Sequence, residues 1–341
     1  MSGPGTDPAG LVVQGRDGQR RDGHRELSMV PRADFRSYYG RPVLKTPVWE
    51  WMIPAYFFTG GLAAGSAVLA AGADLTGRPA LRRGTRLGAL GALLASVVFL
   101  IADLGRPERF HYMLRVAKPT SPMSVGTWIL TAFGPGAAAA AIAELLPARR
   151  RATLLGRLLR ALARPAGLSS AAAAPGVCSY TAVLLSHTAA PAWHEAQREL
   201  PFVFTGSAAA SSGGLGMVCA PVAEAAPARW FAAAGALGEL AASTVLEQRL
   251  SPVVREAYTT GRAHRLRGWS AGLTAAGLVG TLLAGHRSRT VAVASGAALM
   301  AGSVLQRFGV YEAGVESTRD PRYVVVPQRA RLAEQRSVSS S

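Results

Sequence analysis

Eight polar side chains, Asp103, Arg106, Glu108, Arg109, His111, Tyr112, Arg115 and Lys118, crowd one short stretch just before the uncharged run at residues 119–143. Such a concentration beside an apolar run suits chemistry or partner docking at a membrane surface. A lipid-soluble redox carrier needs an apolar slot, one or two donors for its carbonyl oxygens and a protonatable group. Tyr56, Tyr180, His187 and Asp103 could supply these. Asp103 also needs a partner, because a carboxylate near membrane depth is costly alone. Arg106 and Arg109, three and six residues on, are the candidates. Haem is the competing cofactor, but only His187 lies well within an apolar run. His286 and His194 fall at a run's end and in a connection, so no bis-His pair is expected.

These residues are positioned by apolar runs. Predominantly apolar stretches of membrane-spanning length recur at about 50–73, 87–103, 123–146, 168–190, 201–223, 228–247, 268–286 and 290–308. The sixth carries Glu239, a candidate proton-transfer group whose bland role is a hydrogen bond to Ser243 one turn on. Residues 147–167, with RRRATLLGRLLRALARP, repeat Leu at helical spacing opposite Arg, the pattern of a helix lying in the interface. The expected fold is all-α and integral to the membrane: eight transmembrane helices as two four-helix bundles joined by that amphipathic helix. The expected divisions are a polar N-terminal tail (1–48) with a docking arm at 29–42, helices 1–3 (49–146), the interfacial segment (147–167), helix 4 (168–190), a second bundle (191–308) and an exposed polar tail (309–341).

Composition agrees with lipid rather than water. Of 341 residues 49% are hydrophobic but only 7% aromatic, so the apolar content is mostly the small and aliphatic residues that pack helices closely. The formal net charge of +17 comes almost wholly from Arg between the runs, which favours anionic lipid surfaces over nucleic acid. Once the long tails are set aside, Lys and Arg do not separate the two membrane sides, so charge leaves the orientation open. Cys178 and Cys219 lie inside apolar runs without CxxC spacing. They are expected to be buried, with no iron–sulfur cluster of the chain's own.

With eight crossings, one end of the first bundle collects Trp49, Glu50, Trp51 and Tyr56, then Asp103, Arg106 and Arg109, then Lys118, Ser121 and Ser124. Tyr180, His187, Trp193, His194 and Glu195 complete it. An interfacial belt, with Trp and Tyr at headgroup depth and Arg on lipid phosphate, would account for Trp49, Trp51 and Arg115.

Three stretches carry a resemblance. WEWMIPAYFFTGGLAAGS at 49–66, DLGRPERFHYMLRVAKPTSPMSVGTWIL at 103–130 and YTAVLLSHTAAPAW at 180–193 resemble the NrfD/polysulfide-reductase membrane-subunit family, over roughly residues 29–308. The resemblance implies a multi-pass subunit of the cell membrane, serving anaerobic respiration, that binds menaquinone or another quinone without haem. It implies partnership with a four-cluster, ferredoxin-like iron–sulfur subunit and a molybdopterin catalytic subunit. Tyr180 is similar to the family tyrosine that faces the quinone. Asp103, Arg106, Lys118 and Ser121 match the family's loop, so Arg106, Arg109, Lys118, Ser121 and His194 would sit where the iron–sulfur subunit docks. Some quinone-binding relatives place Asn-x-x-His in the first span, where this chain has Ile53 and Tyr56.

The expected function is a membrane anchor and quinone-binding subunit, with Tyr56, Tyr180 and His187 at the quinone and Asp103 and Glu239 handling protons. Two rivals stand beside it. A small-molecule or ion transporter lacks the expected broken helices and midplane charge pairs. A structural anchor with a degenerate quinone site is kept alive by Ile53 and Tyr56.

Overall fold

A backbone crossing lipid must satisfy its own hydrogen bonds, and helices do so locally. The computed structural model describes residues 42–339, and among them every regular element is helical. Most of the expected docking arm at 29–42, and of the N-terminal tail, lies outside the described residues.

Six helices are long and apolar enough to cross a membrane: α1 (Met52–Leu75), α2 (Pro79–Ala102), α3 (Pro122–Leu145), α5 (Leu154–Ser186), α7 (Leu200–Cys219) and α11 (Arg289–Arg319). Two more, α8 (Ala226–Arg249) and α10 (Gly261–Leu283), fill the sixth and seventh expected spans. They match the others in length but not in apolarity. Short helices α4 (Ala148–Arg151), α6 (Pro191–Glu195) and α9 (Pro252–Thr259) connect them. A 3-10 helix covers Pro107–Leu114, and α12 (Arg322–Ser339) ends the described chain.

Local sequence explains several boundaries. Ser121, Thr153, Ser251 and Ser288 each accept a backbone N–H of the first turn of α3, α5, α9 and α11. The start of α2 is capped from a distance. Glu224, between α7 and α8, accepts the N–H groups of Ala80 at 2.7 Å and Leu81 at 3.2 Å. A carboxylate there meets both the unpaired donors and the positive end of the helix dipole.

Helix α1 sits at the centre. It packs against α2 and α5 on one side and α7 and α11 on the other. Of its apolar window 67% is buried, against 28% for α3, which faces outward. Small residues permit the close approach. Between α7 and α11, a Cβ added at Gly214 would lie 2.6 Å from the carbonyl oxygen of Gly296, so only glycine fits.

Three expectations need correction. The interfacial helix is not a separate element. From Leu154 the chain runs as one 33-residue helix into the fourth span, because neither Pro165 nor Pro175 breaks it. The Leu-rich face of that segment is nonetheless exposed, with Leu154 at 78% and Leu155 at 66%. The chain after Phe308 is not an exposed tail, since α11 continues to Arg319 and buries Val310, Tyr311, Ala313 and Val315. Finally, Cys219 is exposed at the end of α7, while Cys178 is buried.

The end of the helices opposite Trp49 holds an ion network that apolar runs did not reveal. Arg82 and Arg86 of α2 each bridge Asp74 of α1 and Glu144 of α3, at 2.8–3.1 Å. Arg86 is almost fully buried, so this lattice locks three helices together rather than decorating a surface.

Candidate functional site

At the Trp49 end, α1, α2, α3 and α5 enclose a cavity of about 200 Å³. The chain entering α1 supplies Trp49, and α1 itself supplies Ile53, Tyr56 and Phe57. Leu100 closes the floor from α2, with Asp103 just past that helix's end. Met113 comes from the 3-10 helix, Gly126 and Leu130 from α3, and Tyr180 and Leu184 from α5. The wall is thus apolar and aromatic, with two phenols and one carboxyl.

The phenols are the unusual part. Two other tyrosines are engaged: Tyr258 donates to the Ala192 carbonyl at 2.9 Å and Tyr311 donates to the Trp49 carbonyl. Tyr56 and Tyr180 have no protein hydrogen-bond partner among the described residues. Tyr56 is 2% exposed and Tyr180 is half-buried, and both line the cavity. Tyr180 depends on Gly126. Any Cβ at position 126 would overlap the Tyr180 ring, so glycine makes the recess in which the ring lies.

Asp103 sits at the rim and accepts the Glu50 N–H at 3.4 Å. Partial burial is the main cause raising its carboxyl above the ordinary aspartate value. The Glu50 hydrogen bond opposes that rise and the Glu50 charge adds to it. The expected ion pairs with Arg106 or Arg109 are not made. Both arginines are exposed on the loop beyond, where chain direction carries them away from the carboxylate.

The wall at Trp49 is held from the far side of the molecule. Trp193 is fully buried between Trp49 and Tyr311, with ring centroids at 6.0 and 5.9 Å. Its indole N–H donates to the Val310 carbonyl at 2.8 Å. With the Tyr311 bond to the Trp49 carbonyl, this fastens the cavity's lip to α11. Trp49 is therefore a cavity residue rather than part of an interfacial belt, whereas Trp51 is 58% exposed.

The other expected residues disperse. His187 ends α5 in an exposed position, its Nδ1 2.9 Å from the Val183 carbonyl, and it does not line the cavity. Ser121 caps α3, and His194 lies 3.0 Å from the Ser186 carbonyl through Nδ1. Arg106, Arg109 and Lys118 are exposed beside Phe110, Tyr112 and Val116. Glu239 is buried in α8, away from the cavity, and its Oε2 has no partner among the described residues. Ser243 makes no hydrogen bond to it among the described residues, and the Ser243 hydroxyl accepts from Gln306 at 3.1 Å. Close by, Arg307 of α11 is fully buried. It donates to the Phe204 carbonyl at 2.6 Å and lies 3.8 Å over that ring.

Sequence reasoning missed Gly126, Met113, Tyr311 and Arg307. Gly126 and Met113 fall inside the motif already singled out and were legible there. Tyr311 and Arg307 lie beyond the point where the last span was expected to end or at its edge, and nothing local marks them. Among the described residues no group of three His, Cys, Asp or Glu side chains is arranged to hold a metal ion.

A family model described as polysulphide reductase, NrfD, matches residues 43–238. The match is shorter than the resemblance read from the motifs, and it contains every cavity residue. No curated protein matches the chain.

Proposed function

The chain belongs to the NrfD polysulphide reductase family, and from that premise we propose that it is the quinone-binding membrane subunit of a respiratory oxidoreductase. The family's members are membrane subunits of quinone-interacting oxidoreductase complexes, and this chain is a multi-pass membrane protein. The finer reading adds eight crossings in two groups of four, with residence in the cell membrane.

One observation carries the proposal: an apolar cavity near one membrane face holds two phenols without protein partners among the described residues and a carboxylate at its rim. Ligand pockets for whole drug-sized molecules occupy roughly 300–1,000 Å³. A cavity of about 200 Å³ suits a quinone ring head whose isoprenoid tail remains in lipid. The bound quinone supplies the two-electron, two-proton redox chemistry. Tyr56 and Tyr180 donate hydrogen bonds to its ring oxygens, and Gly126 lets the Tyr180 ring take that position. Asp103 accepts or returns a proton at its Oδ atoms, a role helped by a carboxyl raised towards the working pH. Trp49, Phe57 and Leu100 keep water from the ring. His187 has no part in this pocket, and Glu239 would move protons only through a separate route.

Arg106, Arg109 and Lys118, exposed beside Phe110 and Tyr112, form a basic surface with apolar spots close to the cavity. An iron–sulfur partner with an acidic rim would dock there and receive or deliver electrons, with a molybdopterin subunit beyond it. The transporter reading has no broken crossing helix to support it, since α3 and α5 run through their internal prolines.

The test is photolabelling of the purified complex with an azido-quinone, followed by peptide mapping. Labelling of the segments around Tyr56, Gly126 and Tyr180, competed by unlabelled menaquinone, is the expected result. Labels confined to other helices would overturn the assignment.

A further inference from the structure

A groove of about 570 Å³ lies along the outer seam of α7 and α8, remote from the cavity at Trp49. Its walls are Phe202, Thr205 and Gly206 from α7, and Gly238, Ala241 and Val245 from α8. Phe202 is 70% exposed and Val245 is 39% exposed, so the groove faces outward. Gly238 opens it further, because a Cβ built there meets no atom within 4 Å. In a membrane-crossing pair of helices, such a slot is presented to acyl chains.

One end of the slot is charged. Arg198 and Arg249 stand there with Glu199, and a second hollow of about 620 Å³ shares these three residues and adds His194, Glu195 and Gln197. Two acids stand beside the two arginines, and neither acid pairs with Arg198. Glu199 is nearly buried and pairs with Arg249 at 3.3 Å, while Glu195 accepts the N–H and hydroxyl of Ser251 at 3.1 and 2.9 Å. Arg198 is exposed and forms no ion pair among the described residues. Arg249 keeps most of its guanidinium in the open, at 63% side-chain exposure.

Length agrees with polarity. Gly238 precedes Arg249 by eleven residues on one helix, about 16 Å at a rise of about 1.5 Å per residue. That is about half of a hydrocarbon core roughly 30 Å thick, the depth of one leaflet. A charged basin that presents two arginines at the membrane surface thus continues into an apolar slot one leaflet deep.

We propose that this seam is a binding site for one anionic phospholipid, with its phosphate on Arg198 and Arg249 and an acyl chain in the slot past Gly206 and Gly238. The phosphodiester oxygens accept from the two guanidinium groups, which suits arginine's fixed fork of donors. The acyl chain covers the outer seam where the two helices meet, so the lipid is a packing component of the α7–α8 pair. Selectivity for a negative headgroup comes from Arg198, which forms no ion pair among the described residues.

The full chain, purified in mild detergent, would be titrated with phosphatidylglycerol and with phosphatidylcholine of matched acyl chains, and retained lipid read by native mass spectrometry. One phosphatidylglycerol should stay bound in preference to phosphatidylcholine. Arg198→Gln, which leaves the Glu199–Arg249 pair intact, should weaken phosphatidylglycerol about fivefold, the scale of one arginine near a membrane surface, and leave phosphatidylcholine unchanged. Gly238→Leu fills the slot from a position where the Cβ meets no atom within 4 Å, and should abolish retention of either lipid while the unfolding temperature in lipid-free detergent does not fall. Equal binding of the two lipids to the wild-type chain would overturn the proposal. So would full displacement by millimolar inorganic phosphate, which would mark a simple anion site. Displacement by menaquinone instead of phospholipid, or undiminished retention in Gly238→Leu, would overturn it too.

Discussion

Two regions of this molecule bury polar groups at membrane depth, and they do so in opposite ways. At Trp49, the phenols of Tyr56 and Tyr180 border empty volume. Around Arg307, helices α7, α8 and α11 close so tightly that a Cβ at Gly206 would lie 2.6 Å from the Glu239 amide nitrogen. Glu239 and Arg307 keep atoms without partners among the described residues, and neither side chain lines the cavity at Trp49 or the groove along α7 and α8. An unpartnered polar atom beside space implies a guest. The same atom inside packed helices implies a structural cost held by its surroundings. Polar residues alone therefore did not distinguish a site from a core, and packing did.

This contrast predicts that changes near Arg307 act on stability and changes near Tyr180 act on turnover. The largest effect is expected from Arg307→Leu. It removes the guanidinium from the Phe204 carbonyl and from the neighbourhood of the buried Glu239 carboxyl. A loss of about 3 kcal/mol, the scale for leaving a buried charge uncompensated, should appear as a lower unfolding temperature of the purified protein. An unchanged unfolding temperature would erase the distinction between the two regions.

Next is Gly126→Ala. The methyl group must displace the Tyr180 ring, and misplacement of a positioning group by about 1 Å can cost roughly 100-fold in rate. Quinol turnover per assembled complex should fall on that scale with normal assembly. Tyr180→Phe is a smaller change of the same kind. Losing one hydrogen bond of about 0.5–1.5 kcal/mol should raise the quinol KM roughly two- to tenfold. Wild-type turnover in both variants would remove the phenol from the site.

The smallest effect concerns Asp103. Its carboxyl is raised in the folded protein, so the folded state favours the protonated form. The associated stability is full below the ordinary aspartate value and is lost as pH rises through the raised one. Asp103→Asn should remove this slope from the unfolding temperature above about pH 3.8. The same variant should lose the acid limb of the turnover profile if Asp103 handles protons. A turnover profile identical to wild type would leave Asp103 as a rim residue only.

Much of the architecture was readable along the chain. The first three spans, the motif of residues 103–130 and Tyr180 were each marked by runs or spacing that one helix or one turn determines. The failures were non-local. Arg106 and Arg109 lie close to Asp103 in sequence, but the 3-10 turn points them outward. Ser243 is one helical turn from Glu239, yet Gln306 on another helix takes its hydroxyl. Hydropathy alone ended the last span near Phe308, because Arg307 stands just before it and polar residues such as Glu312 and Ser317 follow. Helix α11 buries several of them against α6, α7 and α9, so their polarity does not end it.

The amino-acid sequence by itself determined that this chain crosses a membrane as helices, since lipid leaves an apolar backbone run no other way to satisfy its hydrogen bonds. It also determined the order of those helices and the chemical character of the groups gathered at the Trp49 end. Only the tertiary structure decided which of those groups share a space. That depends on Trp193 wedged between Trp49 and Tyr311, on a missing side chain at Gly126, and on arginines held at two distant ends. Each is a contact between segments far apart in the chain, fixed by close packing that a linear pattern of apolar and polar residues does not encode.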